Sequence, residues 1–456
     1  MDSSTGLTGR QRDSLERIRR REDAAFHARV PKSLALDARA RRLMPGGVPM
    51  SWMTAFYRTP TLWVSHGSGA SFTDVDGNSY LDFNVGDMST VLGYAHPRLT
   101  EVIAAQAARG VQMFLPVEPA LAVCEQLRLR FGLSQWQFTL SASTANTEAL
   151  RVSRVATGRP GLLLLDGKYH GQLQETLWAD EGAGAVVPEA TGLGTPPDDL
   201  AVVDFNDLDA AERVLRARRT AAVLVEGVLT NCGTVLPDDG FLPGLRALCS
   251  RYGTLLVVDE THTQFDLYGG VVAHYGIAPD LVTGGKGIGG GVPIGAWGMT
   301  EELAALVGSQ LGDETGATVG IALGGTLFAN ALSLACTEVV LSELMTPAEH
   351  DRIARLGGRL ADGIETAARA HQLPWRAHRF GARSGYCPGP ELPRNAREAH
   401  RDFDPLFSDT RRVYFANRGV WEAISSAGPH AGFAHDEADI DTYLGLLDDL
   451  LDEMCG

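Results

Sequence analysis

The sequence has 456 residues, of which 44% are hydrophobic and 21% charged, enough to bury one large core and one smaller core. Its 40 basic and 56 acidic residues leave a net charge of −16, which argues against nucleic acid and anionic membranes as partners. The six cysteines have no CxxC or metal-ligand spacing. No apolar run approaches the roughly 18 residues that cross a bilayer, and the N-terminus has no signal-peptide core. We therefore expect two domains, no metal, and a location in the reducing cytoplasm.

The first 35 residues are predicted to form a leader or helix that precedes the folded domains. Residues 10–23 are dense in arginine, with acidic residues interspersed and few apolar positions. One interpretation is a basic targeting arm; the one we favour is a solvated helix or a frayed leader. The next segment, 36–90, is predicted to begin the smaller domain.

A β-hairpin is predicted over residues 70–83. Alternating apolar residues there flank the dipeptide Asp76-Gly77, which is typical of a tight turn between two strands. Pro97 is then predicted to begin a helix, because proline suits the first helical position. From 119 to 131, apolar residues recur at helical spacing.

Strands and helices alternate between residues 137 and 259. The predicted elements are, in order, a strand at 137–140, a helix at about 144–157, a strand at 161–165, a strand at 221–226, a helix at 242–252 and a strand at 255–259. Such alternation predicts right-handed crossovers and a mostly parallel sheet, which binds ligands at the carboxyl ends of its strands. We assign this large domain to residues 91–335.

The remaining segment, 336–456, is predicted to complete the smaller α+β domain. Helices are expected at 332–344 and 347–370, and 371–401 is richer in proline, arginine and histidine. From 413 onward a short strand pattern precedes an acidic amphipathic helix at 437–454. The smaller domain is therefore expected to come from both ends of the chain.

The most informative feature is an acid and a lysine that each follow a short apolar run. Asp259 ends the run that begins at residue 255, and Lys286 lies among glycines after the next run. This arrangement suits pyridoxal phosphate (PLP), because a lysine amine condenses with the cofactor's aldehyde and an acid beside the pyridine nitrogen keeps that nitrogen protonated. The alternative for Lys286 is a solvated turn residue, and its pairing with Asp259 argues against that.

Seven spaced motifs run in order through residues 38–451. They are Asp76-Gly77 with Tyr80-Leu81-Asp82-Phe83, Gly93 with His96-Pro97, the segment 141–146, Tyr169-His170-Gly171, Asp259-Glu260, Lys286, and Gly325-Thr326 with Asn330. Together they resemble the class III aminotransferases of the fold type I PLP-dependent superfamily, in the branch that includes glutamate-1-semialdehyde aminomutase. The resemblance implies an α/β fold with a mostly parallel sheet flanked by helices, and PLP as the cofactor.

The resemblance assigns the cofactor phosphate to Ser141, Ala142 and Ser143. They would hold it with backbone N–H groups and a hydroxyl at the positive end of a helix. The family usually has Ser-Gly-Thr-Glu here, so this chain keeps a hydroxyl but lacks a glycine and a carboxylate; an ordinary helix cap is the alternative. Thr326 corresponds to the threonine that reaches the phosphate of the neighbouring subunit, which implies a homodimer with shared active sites.

Four further residues are assigned to the surroundings of the cofactor ring. Tyr169, followed by His170, matches the family's aromatic residue on one ring face, although lone aromatic residues are more often core. Thr261 takes the place of a valine on the other face. Glu226 matches a family glutamate near the ring, and a solvated strand-end cap is its alternative. With Lys286 and Asp259, Tyr169 completes the expected catalytic set.

The substrate is left open, because the expected carboxylate-binding arginines are missing. The aminomutase places an arginine shortly after an N-terminal Gly-Val, and here Met53, beside Trp52, lies near that place. A thioether cannot bind a carboxylate as a guanidinium does. Arg58 and Arg383 are the candidates to replace it, and a surface charge is the alternative for each.

An apolar substrate wall is a second hypothesis about specificity. Trp52, Met53, Met88 and Phe114 would form it, unless they belong to the core or to a dimer interface. His262 would contact a substrate or cofactor oxygen, or else be a buried histidine whose hydrogen bonds are satisfied within the fold.

These residues together predict an aminotransferase. It would move an amino group from an amine or amino acid to a keto acid or other carbonyl by a ping-pong mechanism through Lys286. Two alternatives stay open. One is a PLP-dependent aminomutase, racemase or lyase of the same fold, and the other is a non-catalytic scaffold that retains it.

Overall fold

The computed structural model describes residues 6–56, 62–182, 184–311, 320–422 and 428–456. The chain divides into two compact units. The first unit comprises Met1–His96, Asp351–Pro393 and Ala399–Gly456, and the second unit comprises Pro97–His350 and Arg394–Glu398. The first unit thus combines both chain ends, and the divisions after residues 96 and 350 lie beyond the predicted ones after 90 and 335.

Fifteen α-helices are present among the described residues. They are α1 (Gly9–Arg29), α2 (Pro31–Ala40), α3 (Met53–Phe56), α4 (Pro97–Arg109), α5 (Pro119–Phe131), α6 (Ala142–Thr157), α7 (Leu208–Leu215), α8 (Phe241–Tyr252), α9 (Gly270–His274), α10 (Glu301–Ser309), α11 (Ala331–Val339), α12 (Pro347–Ala370), α13 (Ala396–Asp402), α14 (Pro405–Ala416) and α15 (Glu437–Cys455). None of these helices alone is long and apolar enough to cross a membrane. Helix α11, extended by a π-helical turn at Val340–Leu344, has the length and composition of a membrane span only when it is taken together with α12, from which it is separated by a bend.

The described residues also form fifteen β-strands. They are β1 (Val64–Ser68), β2 (Ser71–Asp74), β3 (Ser79–Asp82), β4 (Gln135–Thr139), β5 (Gly161–Leu165), β6 (Trp178–Asp180), β7 (Val186–Pro188), β8 (Leu200–Val203), β9 (Thr220–Val225), β10 (Leu255–Asp259), β11 (Leu281–Gly284), β12 (Gly295–Met299), β13 (Arg376–Phe380), β14 (Arg383–Cys387) and β15 (Val420–Trp421).

A seven-stranded sheet forms the centre of the second unit. Its strand order is β4-β12-β11-β10-β9-β5-β8. Strand β12 runs in the direction opposite to the other six strands, and all pairs without β12 are parallel. The prediction of a mostly parallel sheet is therefore confirmed. Strands β5 and β9 are buried at every position, and apart from Thr220 at the start of β9 they are apolar throughout, as expected for a sheet with helices on both faces.

The carboxyl ends of β9, β10 and β11 meet at one edge of this sheet. Val258 of β10 pairs with Val225 of β9, and Asp259 pairs with Thr283 of β11. This register places Glu226, Asp259 and the segment that leads to Lys286 side by side. Side chains that are far apart in sequence therefore converge where parallel sheets bind ligands.

A four-stranded sheet in the first unit joins the two ends of the chain. Its order is β1-β2-β3-β15, and the predicted hairpin around Asp76-Gly77 is its antiparallel pair β2 and β3. Strand β15, from the C-terminal part, pairs in parallel with β3. The prediction that both chain ends build one α+β unit agrees with this pairing.

The arginine-rich N-terminal segment is a packed helix and not a frayed leader. Helix α1 buries Leu15, Ile18 and Phe26 and packs against α14 and α15. Its charged residues pair with the same unit: Arg12 lies 2.7 Å from Asp404, and Glu22 is buried at 3.1 Å from Arg418. The few apolar positions among the arginines are spaced to face one side of the helix, which is why it packs.

Candidate functional site

Asp259, at the end of β10, is a buried carboxylate with three hydrogen-bond donors around it. Its Oδ2 accepts from Asn146 Nδ2 at 2.8 Å and from His170 Nδ1 at 2.9 Å, and its Oδ1 accepts from the Thr261 amide at 3.0 Å. Burial raises the pKa of this carboxyl, but the donors, His170 first among them, outweigh burial and hold the pKa below its usual range. Asp259 is therefore ionised at neutral pH.

Asn146 connects three elements around this carboxylate. Its Nδ2 also donates to the backbone carbonyl of His170 at 3.0 Å, and its Oδ1 accepts from Thr283 Oγ1 at 2.6 Å. Helix α6, the loop after β5 and strand β11 are thereby tied to Asp259. Neither Asn146 nor Thr283 was among the predicted site residues, although Asn146 ends the 141–146 motif.

Glu226 follows β9 and is buried, with 4% of its surface exposed. Its Oε1 accepts from the Tyr169 amide at 2.7 Å, and its Oε2 accepts from Thr230 Oγ1 at 2.8 Å. Burial raises the pKa of Glu226. The interpretation of Glu226 as a solvated strand-end cap is therefore wrong, because the carboxylate fixes the backbone of Tyr169 from inside the fold.

Helix α6 begins at the same edge of the sheet with a complete capping box. The Thr144 amide donates to Ser141 Oγ at 3.3 Å, and the Ser141 amide donates to Thr144 Oγ1 at 3.2 Å. Thr144 thus does what glutamate does in the usual capping box. The amides of Ala142 and Ser143 lie in the first helical turn, which has no intrahelical acceptors and attracts anions.

Two glycines bring loops close to this helix start. A Cβ at Gly171, whose φ is +91°, would lie 2.1 Å from Ser143 Oγ, and a Cβ at Gly285 would lie 2.8 Å from the Ala142 amide nitrogen. No real side chain fits at such distances. The Ser143 hydroxyl accepts from the Gln172 amide at 3.1 Å and keeps its own proton for another acceptor.

Lys286 is half-buried and directly follows Gly285, the residue after β11. Its backbone φ is +55°, a conformation uncommon for residues with a side chain and frequent at functional sites. Its Nζ lies 2.6 Å from His262 Nε2. His262 is itself buried, with 8% exposed.

These residues fit PLP. An ionised acid is held at the sheet edge, a helix start with two amides and a hydroxyl suits a phosphate, and Lys286 provides the amine. The buried Thr261 hydroxyl has no hydrogen-bond partner among the described residues, so a polar group of a ligand would satisfy it. Ser141, Ala142 and Ser143 would hold the phosphate, and Tyr169, Thr261 and Asp259 would surround the ring.

Replacing Gly285 with alanine is expected to weaken PLP binding at least roughly tenfold and to destabilise the fold by about 1–3 kcal/mol, because the new methyl group overpacks against Ala142. Absorbance titration with PLP and thermal unfolding measure the two effects. Gly308→Ala in α10 is the matched control: its Cβ meets nothing within 4 Å, and helix propensity favours it by up to about 1 kcal/mol. Equal PLP affinity in the two variants would contradict the assignment of the phosphate to the start of α6.

The residues assigned to the substrate belong mostly to the first unit. Met53 begins α3 and is half-buried, and Trp52 before it is 40% exposed. Arg383 is buried, with Nη2 at 3.6 Å from Met88 Sδ, so it is not a surface charge. Arg58 lies outside the described residues.

Thr326 and Phe114, in the second unit, are both exposed. The Thr326 carbonyl accepts from Gln112 Nε2 at 2.7 Å. This hydrogen bond therefore holds the segment that contains Thr326 against the segment that precedes Phe114.

Comparison with known proteins places the chain in a family. The model of the class III aminotransferases (Aminotransferase class-III) matches residues 53–386. A glutamate-1-semialdehyde 2,1-aminomutase of Anaeromyxobacter sp. (strain Fw109-5) is 34% identical over 360 residues, which cover 76% of this chain and 81% of that protein.

Solved structures agree with this placement. A glutamate-1-semialdehyde-aminomutase from Pseudomonas aeruginosa PAO1 has a TM-score of 0.93 and 34% identity, covering 98% of this chain and 100% of that one; its lysine-to-alanine variant was solved in complex with PMP. An omega-transaminase from Sphaerobacter thermophilus has a TM-score of 0.84 and 28% identity, covering 93% and 98%. The chain belongs to the class III aminotransferase family, in the branch of the glutamate-1-semialdehyde aminomutases, and its cofactor is PLP.

Proposed function

We propose that the chain moves an amino group on a small molecule, with Lys286 as the residue that takes up and returns the proton. The observation that carries this proposal is the convergence of Lys286 and the ionised Asp259 at the ends of neighbouring strands β11 and β10. When bound, PLP supplies an aldehyde that condenses with amines and a ring that accepts an electron pair from the substrate. Asp259 stabilises positive charge on the ring nitrogen, and the Lys286 amine acts as both base and acid.

Transfer within one molecule is the form of this reaction that we favour. The curated relatives that resemble the chain over three quarters of its length are named aminomutases, so the aminomutase alternative is better supported than the transaminase of the sequence interpretation. Transfer between two molecules remains the second candidate. It is favoured by the sequence, in which Met53 aligns near the position of the arginine that holds the substrate carboxylate in the aminomutase.

Turnover of a single substrate separates the two candidates. Given one small compound with an amino group beside a carbonyl, the holoenzyme is expected to convert many equivalents to the isomer with no second substrate. A transaminase would stop after about one turnover per site until a keto acid is added, as ping-pong chemistry requires. Mass spectrometry of the product and the cofactor absorbance follow both results, and a requirement for a keto acid would contradict the aminomutase proposal.

The substrate class is tested with the same assay. Matched compounds with and without a carboxylate are compared, because Trp52 and Met53 offer no bidentate partner for that group. We propose that the carboxylate-free compounds react at least as fast. Reaction of carboxylate-bearing compounds alone would contradict an apolar substrate wall.

We also propose a homodimer with shared active sites in the cytoplasm. Large apolar side chains are exposed on the two segments that the hydrogen bond between Gln112 and Thr326 connects: Val111 (48%), Met113 (42%), Phe114 (75%), Leu115 (75%) and Leu327 (54%). Exposed apolar patches of this kind mark protein interfaces. The six cysteines are all free thiols, which supports a reducing compartment. A monomer in light scattering of the assay sample would contradict the dimer, and a disulfide-linked native form would contradict the location.

A further inference from the structure

A chain of hydrogen bonds leads from Glu226 to the amine of Lys286. Thr230 Oγ1 donates to Glu226 Oε2 at 2.8 Å, His262 Nδ1 hydrogen-bonds to Thr230 Oγ1, and His262 Nε2 lies 2.6 Å from Lys286 Nζ. Glu226, Thr230 and His262 are all buried, with 4%, 0% and 8% exposed. Holding PLP does not by itself require Thr230 or His262, so these hydrogen bonds need a separate explanation.

Valence sets the direction of these hydrogen bonds. In its ionised form Glu226 only accepts, and both of its oxygens do so, from the Tyr169 amide and from Thr230 Oγ1. The single hydroxyl proton of Thr230 is thereby used, and its lone pairs accept from His262 and, at 3.5 Å, from Asn231 Nδ2. His262 must then carry its hydrogen on Nδ1. Its Nε2 is left with a lone pair that accepts an N–H from Lys286.

We propose that His262 is a positioning residue for Lys286, holding the lysine amine by accepting one of its N–H bonds whenever the amine is free of the cofactor. The inference rests on the proposed function. Both the charged and the uncharged amine have N–H donors, so this hydrogen bond persists while the amine takes up and returns a proton. The four-carbon stem of lysine is flexible, so a hydrogen bond to the amine limits the positions that the amine takes up. Thr230 and Glu226 act one step further off, by selecting the ring tautomer.

The tautomer is measured directly in the PLP-free protein. The sequence has 12 histidines, and ¹⁵N-histidine NMR with His262→Gln identifies the signals of His262. We expect the Nδ1–H tautomer in the wild type, a shifted Nε2 signal in Lys286→Met, and a population with hydrogen on Nε2 in Thr230→Val. Hydrogen on Nε2 in the wild type, or an Nε2 signal with the same chemical shift in the wild type and in Lys286→Met, would overturn the proposal.

Kinetics provide a second measurement. His262→Leu removes the acceptor and is expected to lower kcat by roughly 10² with little change in KM, since misplacing a reacting group by about 1 Å costs that much. His262→Gln keeps an acceptor in its amide oxygen and should restore most of the loss. The exposed His274 is the control, and His274→Gln should leave kcat unchanged. Equal kcat in His262→Leu and His274→Gln would reject the positioning role.

The two proposals fail in different ways. Borohydride reduction of the wild-type holoenzyme followed by peptide mass mapping reports whether Lys286 binds PLP at all. Absence of the label there rejects the proposed function and, with it, this inference. A labelled Lys286 together with the wrong His262 tautomer rejects only the role of His262.

Discussion

Replacing Lys286 with methionine is expected to lower kcat by roughly 10⁴-fold or more, because the variant loses both the amine that binds the cofactor and the group that moves the proton. Methionine preserves the length and much of the apolar volume of the stem, so the fold should be retained. Steady-state kinetics measure the loss. Borohydride reduction and peptide mapping should label Lys286 in the wild type and nothing in the variant.

The map is simple because the sequence contains only three lysines, Lys32, Lys168 and Lys286. Lys32 is exposed, so Lys32→Met is the control and should keep both the kcat and the label of the wild type. Lys168 is buried with its Nζ at 2.8 Å from Glu189 Oε1, an ion pair within the fold. A label on Lys32 or Lys168 in the wild type would show that Lys286 is not the cofactor lysine.

Changing Asp259 to asparagine is expected to lower kcat by roughly 10²–10³-fold and to weaken PLP binding, because a neutral amide no longer stabilises positive charge on the ring nitrogen. The new NH2 group also replaces one of the two acceptor oxygens, so it faces either the Thr261 amide or the pair of donors on Asn146 and His170, and at least one buried donor loses its acceptor. Such a loss costs about 1–3 kcal/mol of folding free energy. Kinetics, absorbance titration with PLP and denaturant unfolding measure the three effects.

The pH dependence of stability should change with the same substitution. The pKa of Asp259 is lowered in the fold, so its carboxylate stabilises the protein above the unfolded pKa of about 3.9. This contribution is lost as the pH falls through the lower, folded value. In Asp259→Asn the difference in unfolding free energy from the wild type should therefore shrink at acid pH.

Glu260 supplies a matched control for Asp259. It is the next residue, equally buried, and its carboxylate accepts from the amides of Val271 and Val272 at the start of α9. Glu260→Gln should alter stability while leaving the affinity for PLP close to that of the wild type. If Asp259→Asn binds PLP as tightly as Glu260→Gln, the role of Asp259 at the ring is wrong.

The sequence predicted the strands that lie in the middle of the large sheet better than the elements around it. The apolar runs of β5 and β10 were placed with the bounds that the structure has. Strand β12 was not predicted, because Gly295 and Gly298 break its apolar pattern. Helix α14 was also missed, although Asp404 caps it and Pro405 begins it, which is a recognisable start signal.

Some residues of the candidate site could likewise be predicted from the sequence, and others could not. Asp259 and Lys286 could be predicted because chemistry demands an acid and an amine after two strands. Asn146 and Thr283 could not, since they are 137 residues apart and meet only because helix α6 packs against strand β11. Thr230 has no local signal of its own, and its importance depends on His262, 32 residues away.

The pairing of the two chain ends in the first unit has a consequence for biosynthesis. Helix α1 ends at Arg29 and its partner α14 begins at Pro405, so 405 − 29 = 376 residues of translation separate them. At a synthesis rate of about 5–20 residues per second, roughly 20–75 s pass between the synthesis of α1 and that of the surface that covers Leu15, Ile18 and Phe26. Throughout that interval the nascent chain carries an uncovered apolar stripe, which is the kind of surface that chaperones bind.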